Sequence, residues 1–212
     1  MFRACCVLLA GCASSASGGA RGGLAGLGGA SAKGDACATG GKRRLELDLN
    51  RDKRPDVYKL FAMTQRDGKA VEYLSCKEVD LNHDGKKDLW LHYGPDGERT
   101  VEEMDLDFDG RIDLVTFWGG GRMQRQELDT DFDGQADILR HFENDKLARV
   151  ERDSNRDGVV DYREFYEGGV LDRIGYDTDG DGQVDRWERV APAEAEPAKP
   201  APQPAPAEPA QK

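Results

Sequence analysis

Residues 105–137 read DLDFDGRIDLVTFWGGGRMQRQELDTDFDGQAD, one full unit of a repeat followed by the start of the next. Two segments of the form D-x-D-x-D-G-x-x-D, from Asp105 and Asp129, bracket an apolar run, a glycine triplet and a second run. Working outward, the looser form D-x-[DN]-x-D-x-x-x-D occurs six times: DLNRDKRPD, DLNHDGKKD, DLDFDGRID, DTDFDGQAD, DSNRDGVVD and DTDGDGQVD. They begin at Asp48, Asp80, Asp105, Asp129, Asp153 and Asp177. The last four starts are 24 residues apart, Asp80 precedes Asp105 by 25, and the first interval is 32. A short fixed period of this kind predicts an array of small units.

The segments between the loops decide the fold class. They are interrupted by Gly119-Gly120-Gly121, Asn144-Asp145 and Gly168-Gly169. Two interior glycines cost a helix about 2 kcal/mol, whereas such pairs are favoured in two-residue hairpin turns. Turns placed there set Trp118 opposite Met123, Phe142 opposite Leu147 and Tyr166 opposite Leu171, each an aromatic facing an aliphatic. Phe61 and Tyr93 fill the same aromatic slot in the earlier units. The expectation is an all-β array of short β-hairpins joined by metal-binding loops. Neither strand face is cleanly apolar, so one curved sheet and two packed layers both remain open.

The loops place 21 acids at their first, third, fifth and ninth positions. Those positions are Asp48, Asn50, Asp52 and Asp56; Asp80, Asn82, Asp84 and Asp88; Asp105, Asp107, Asp109 and Asp113; Asp129, Asp131, Asp133 and Asp137; Asp153, Asn155, Asp157 and Asp161; Asp177, Asp179, Asp181 and Asp185. Calcium takes six to eight oxygen ligands, which one tight loop of carboxylates supplies. Magnesium fits less well, because it prefers a smaller octahedral shell and keeps its waters. A glycine at the sixth position allows the sharp turn, and five loops have it: Gly85, Gly110, Gly134, Gly158 and Gly182. Acidic turns arise from turn propensity alone, but six in register do not. Ca2+ is the cofactor these residues predict.

The loops resemble two known families. DSNRDGVVDYRE and DTDGDGQVDRWE resemble the EF-hand loop, with Glu164 and Glu188 at the twelfth position, where that family places a bidentate acid. The resemblance implies that these two sites bind most tightly. All six also look like the calcium loop of FG-GAP repeats in integrin-type propellers, as in DLNHDGKKDLWLHYG. Those repeats are much longer, so the likeness covers the loop alone. Arg125, Arg149 and Arg173 recur in the second strand of each unit and are expected to neutralise loop carboxylates.

Composition places the chain in its surroundings. The formal net charge is −11, which excludes nucleic acid as a natural partner. Residues 1–11 combine Arg3, an apolar run and small residues, as a secretion signal does. Leu9-Ala10-Gly11-Cys12 resembles a bacterial lipobox, which implies lipidation at Cys12, a membrane partner through that anchor, and an outer-membrane lipoprotein. The apolar run is short for a signal and leaves the start codon open. Residues 12–42 form a Gly/Ala/Ser-rich linker, residues 43–190 the repeat domain, and residues 191–212 an Ala/Pro/Glu-rich tail, both ends expected to be disordered. Cys37 and Cys76 would pair in an oxidising compartment or stay as free thiols.

No catalytic set stands out, and the chain is not expected to be an enzyme. His83, His92 and His141 have no zinc-like spacing, and the glycine triplet lacks the Lys-Ser/Thr of a phosphate loop. Three functional readings follow. The first is a calcium-stabilised structural or binding module of the cell envelope with a wall or envelope protein as partner. The second is a helical EF-hand sensor or buffer, and the third a wall-glycan binder using exposed tryptophans.

Overall fold

The computed structural model describes residues 37–190; the predicted signal, Cys12, most of the linker and the tail lie outside them. The strands are β1 (Arg43–Leu47), β2 (Val57–Arg66), β3 (Lys69–Val79), β4 (Leu89–Tyr93), β5 (Arg99–Met104), β6 (Leu114–Gly119), β7 (Arg122–Leu128), β8 (Ile138–Glu143), β9 (Lys146–Arg152), β10 (Tyr162–Glu167), β11 (Val170–Tyr176) and β12 (Arg186–Arg189). They form a single 12-stranded antiparallel sheet in chain order, β1 to β12. The all-β expectation holds, and the open question of layers resolves to one sheet. Strands flank every loop, and the described residues contain no helix.

The hairpin turns lie where glycine and asparagine place them. Both residues of each two-residue turn have positive φ: Asp67-Gly68 (51° and 73°), Gly120-Gly121 (58° and 72°), Asn144-Asp145 (51° and 64°) and Gly168-Gly169 (62° and 91°). This backbone matches the right-handed twist of the strands it joins. Trp118 pairs with Met123, Phe142 with Leu147 and Tyr166 with Leu171. Each of these hairpins skips one residue next to that pair: Gln124, Ala148 and Asp172. The recurring bulge adds twist to the sheet. It is invisible to a pattern that counts only turn residues.

Cross-strand partners share a face, so the register defines rows running across the sheet. Next to the loops runs Leu47, Val57, Val79, Leu89, Met104, Leu114, Leu128 and Ile138, which passes into Arg152, Tyr162, Tyr176 and Arg186. The adjacent row on the other face alternates acids with large apolar groups: Glu78, Trp90, Glu103, Val115, Glu127, Leu139 and Glu151. Those acids meet bases on the same face. Glu127 pairs with Arg125, and Glu151 with His141 and Arg149. The His141 hydrogen bond holds Glu151 below the usual carboxylate range, whereas burial pushes Glu127 up.

The core is correspondingly mixed. Val57, Leu60, Trp90, Leu91, Val115, Val150 and Val160 are buried, but so are Asp56, Asp88, Asp105, Asp113 and Asp129, each 1% exposed. Aspartates take interior positions that a larger domain would give to leucine. Apolar burial alone therefore does not organise this edge of the sheet.

Candidate metal centres

A sheet in chain order puts every hairpin turn on one edge and every aspartate loop on the other. Consecutive loops are separated by two strand spacings, about 10 Å. The six therefore form a row. Adjacent loops are tied through the backbone, the N–H of each first aspartate donating to the carbonyl of the preceding loop's ninth: Asp80 to Asp56, Asp105 to Asp88, Asp129 to Asp113, Asp153 to Asp137 and Asp177 to Asp161, at 2.7–3.0 Å.

Within a loop, the first aspartate is the organiser. Its carboxylate accepts the amides of the fourth and sixth residues, as Asp105 does from Phe108 and Gly110, both at 2.7 Å. The same pair recurs from Asp48 to Asp177. Those two donors sit in the left-handed region. At position six, Gly110 has φ 99°, while Lys53, which replaces glycine in the first loop, is held at 73°. At position four the residues are Arg51, His83, Phe108, Phe132, Arg156 and Gly180, with φ from 64° to 77°. Sequence reasoning missed this second left-handed position. Its side chains share no chemistry, and the hydrogen bond from the backbone N–H to the first aspartate, not residue type, offsets the strain.

The ninth aspartate closes the loop from the other end. It accepts the amide of the second residue, at 2.6 Å for Asp113 from Leu106 and 2.7 Å for Asp185 from Thr178, and likewise in the other four loops. These bonds bring the first, third and ninth carboxylates together. One oxygen from each of Asp105, Asp107 and Asp113 lies within 4.8 Å of the others, as in the triads Asp129, Asp131, Asp137 and Asp177, Asp179, Asp185. Asn50, Asn82 and Asn155 occupy the third position elsewhere, each accepting the amide of the fifth residue through Oδ1.

Two groups expected as ligands lie apart. The fifth-position aspartates, Asp52, Asp84, Asp109, Asp133, Asp157 and Asp181, stand outside the triads and turn an oxygen to the amide two residues on. Glu164 and Glu188 are on β10 and β12. Glu164 accepts the hydroxyls of Tyr162 at 3.1 Å and Tyr166 at 2.6 Å, and Glu188 that of Tyr176 at 3.2 Å. Strand register sets both acids against tyrosine hydroxyls, at the twelfth position where the EF-hand likeness implies a metal ligand. Burial and the Glu164 hydrogen bond push both Tyr162 and Tyr166 up to about 12.

The arginine expectation is corrected. Arg125 pairs with Glu127 and lies 4.4 Å over Phe117, Arg149 pairs with Glu151, and Arg173 pairs with Asp172 and stacks on Phe165 and Trp187. Position-four side chains reach the loops instead. His83 Nδ1 is 2.8 Å from Asp56 of the loop before it, and Arg156 is 2.8 Å from Asp131. The contact holds Asp56 low, helped by the Leu49 amide, and raises His83.

Three of the triad carboxylates are held where their charge is disfavoured. Burial pushes Asp105 and Asp113 above the usual carboxylate range despite the amides that oppose it, and neighbouring aspartates add to the rise. Asp131 is raised by burial as well, with Asp137 adding to it. Carboxylates gathered this closely are groups that could hold a cation.

No protein-family model matches this chain, and no curated protein matches it. Among solved structures it is similar to a chain described as accessory secretory protein 1, 2 and 3 in Streptococcus pneumoniae, at 15% identity with a TM-score of 0.35. The match covers 54% of this chain and 19% of that one.

Proposed function

We propose that this chain is a calcium-stabilised structural or binding module of the cell envelope, presenting a row of six calcium loops along one edge of a β-sheet. The observation that carries the reading is the convergence of the first, third and ninth carboxylates in three of the six loops, in one of which burial also raises Asp105 and Asp113. A hard divalent cation with a flexible oxygen shell answers that arrangement. The strands on both sides of all six loops disfavour the EF-hand sensor, whose switch needs a helix pair to open. The lipidated Cys12 and an envelope partner complete the reading, on the strength of the lipobox likeness.

The test is calcium-linked folding. At a free concentration ten times Kd, each site contributes about 1.4 kcal/mol, and six give roughly 8 kcal/mol, comparable to the stability of a whole domain. Thermal melts in calcium and in chelator should differ by tens of degrees. Coincident melting temperatures would remove calcium from the account.

A further inference from the structure

One buried polar cluster has no part in the loop row. Cys76 on β3 and His92 on β4 are direct cross-strand partners, and Cys37 reaches over them to form a disulfide with Cys76. His92 Nε2 is 2.8 Å from Glu103 Oε2 on β5. Both side chains are 3% exposed. Burying such a pair is costly, and the hydrogen-bond partners of His92 lie outside the aspartate loops. Its other neighbour is sulfur: Cys37 Sγ lies 3.6 Å from His92 Nδ1 and 3.9 Å from Nε2.

We propose that reduction of the Cys37–Cys76 disulfide opens a zinc site whose ligands are the two thiolates and His92 Nδ1. One ligand atom from each residue lies within 4.8 Å of the others, the two sulfurs because they are bonded, so reduction must let them part before they share a metal. A tetrahedral zinc with Zn–S near 2.3 Å and Zn–N near 2.0 Å sets its ligand atoms roughly 3.5–3.8 Å apart. The Cys37–His92 separation meets this in length, but the sulfur is nearly as close to Nε2, so it lies over the ring and must swing towards the Nδ1 lone pair to share a metal with it. Glu103 fills the outer position of a carboxylate–histidine–zinc arrangement: it accepts a hydrogen bond from Nε2–H, which fixes the tautomer whose Nδ1 lone pair is free for metal. Cys76 is completely buried within β3. Cys37 lies ahead of the first strand and is half-buried, so its sulfur is the one that moves aside. Solvent takes the fourth position.

The chemistry balances with a dithiol as reductant. It transfers two electrons and two protons to the Cys37–Cys76 bond, giving two thiols and its own disulfide. Zinc then displaces the two thiol protons to solvent. The oxidised and metal-bound forms exclude one another, so this edge of the sheet would be stapled by a covalent bond or by a metal according to redox state.

The donor set differs in kind from the loops, so the test is independent of the calcium reading. The full chain carrying Cys5→Ser, Cys6→Ser and Cys12→Ser, so that Cys37 and Cys76 are its only thiols, is saturated with calcium, reduced anaerobically with a phosphine and titrated with Co2+ as an optical probe. One equivalent should bind with a thiolate-to-cobalt charge-transfer band and tetrahedral visible bands, and Zn2+ should bleach both. The oxidised protein should show neither. Cys37→Ser, which alters no strand residue, should weaken cobalt binding and lose at least half of the charge-transfer intensity, and Glu103→Gln should weaken binding 10- to 100-fold. Circular dichroism checks that each variant is folded. Cobalt uptake by the reduced chain without a thiolate band, or an unchanged titration for Cys37→Ser, overturns the proposal.

Discussion

Replacing Asp113 by Asn should change stability in opposite directions with and without calcium. The amide keeps an oxygen to accept the Leu106 N–H, so the loop keeps its shape and loses a charge. At the 4.8 Å bound of the triad, two carboxylates repel by about 0.9 kcal/mol even at the dielectric constant of water. Removing Asp113 relieves two such pairs, so the chelated variant should be about 2 kcal/mol more stable than the chelated parent. That corresponds to a melting temperature roughly 4–8 °C higher. With calcium the sign reverses. A unit charge lost about 2.4 Å from a divalent ion is worth about 3.5 kcal/mol in water, more than a hundredfold in the Kd of that site.

Calorimetric melts in chelator and in calcium measure both effects. The pH profile adds a check. Asp105 and Asp113 are raised by burial, so their protonated forms are favoured in the folded state. Their contribution is fully present below the unfolded value, near about 3.9, and is lost as pH rises through the raised folded value. The chelated parent should therefore gain stability from these groups on acidification, and Asp113→Asn should gain less. A variant less stable than the parent in chelator, with its calcium titration unchanged, would refute the triad as a site of charge repulsion and of metal binding.

Three further outcomes are expected. Glu164→Gln should leave calcium titration within about twofold of the parent, but tyrosinate absorbance should appear at lower pH, because Tyr162 and Tyr166 lose the carboxylate that helps hold them up to about 12; a lost tight site would restore Glu164 as a ligand. Lys53→Gly should stabilise the chain by about 1 kcal/mol, since Lys53 sits at φ 73° where glycine carries little strain, and denaturant melts that show no gain would remove strain from that loop. Cys12→Ser should abolish metabolic labelling by a palmitate analogue, and equal labelling of both proteins would exclude the lipobox reading.

Local features were legible in the sequence because they are closed over few residues. A first aspartate bonds amides three and five positions on, and a ninth bonds an amide seven positions back, so the six loops announce themselves by spacing alone. The two-residue turns do so for the same reason: positive φ at both positions selects Gly, Asn and Asp. From loops and turns in alternation, hairpins and their aromatic–aliphatic pairs follow.

Tertiary structure decided what depends on register between strands far apart in the chain. It settled one sheet over two layers, and it turned Glu164 towards tyrosine hydroxyls although its spacing fits an EF-hand shell. It also set the recurring arginines on Glu127, Glu151 and Asp172, since strand geometry carries them along the sheet and not to its loop edge. Cys37, Cys76, His92 and Glu103 carry no common spacing, and the first two are 39 residues apart. They meet because β3, β4 and β5 are neighbours and because burial removes the water that would otherwise separate their charges. Only the folded chain could show that.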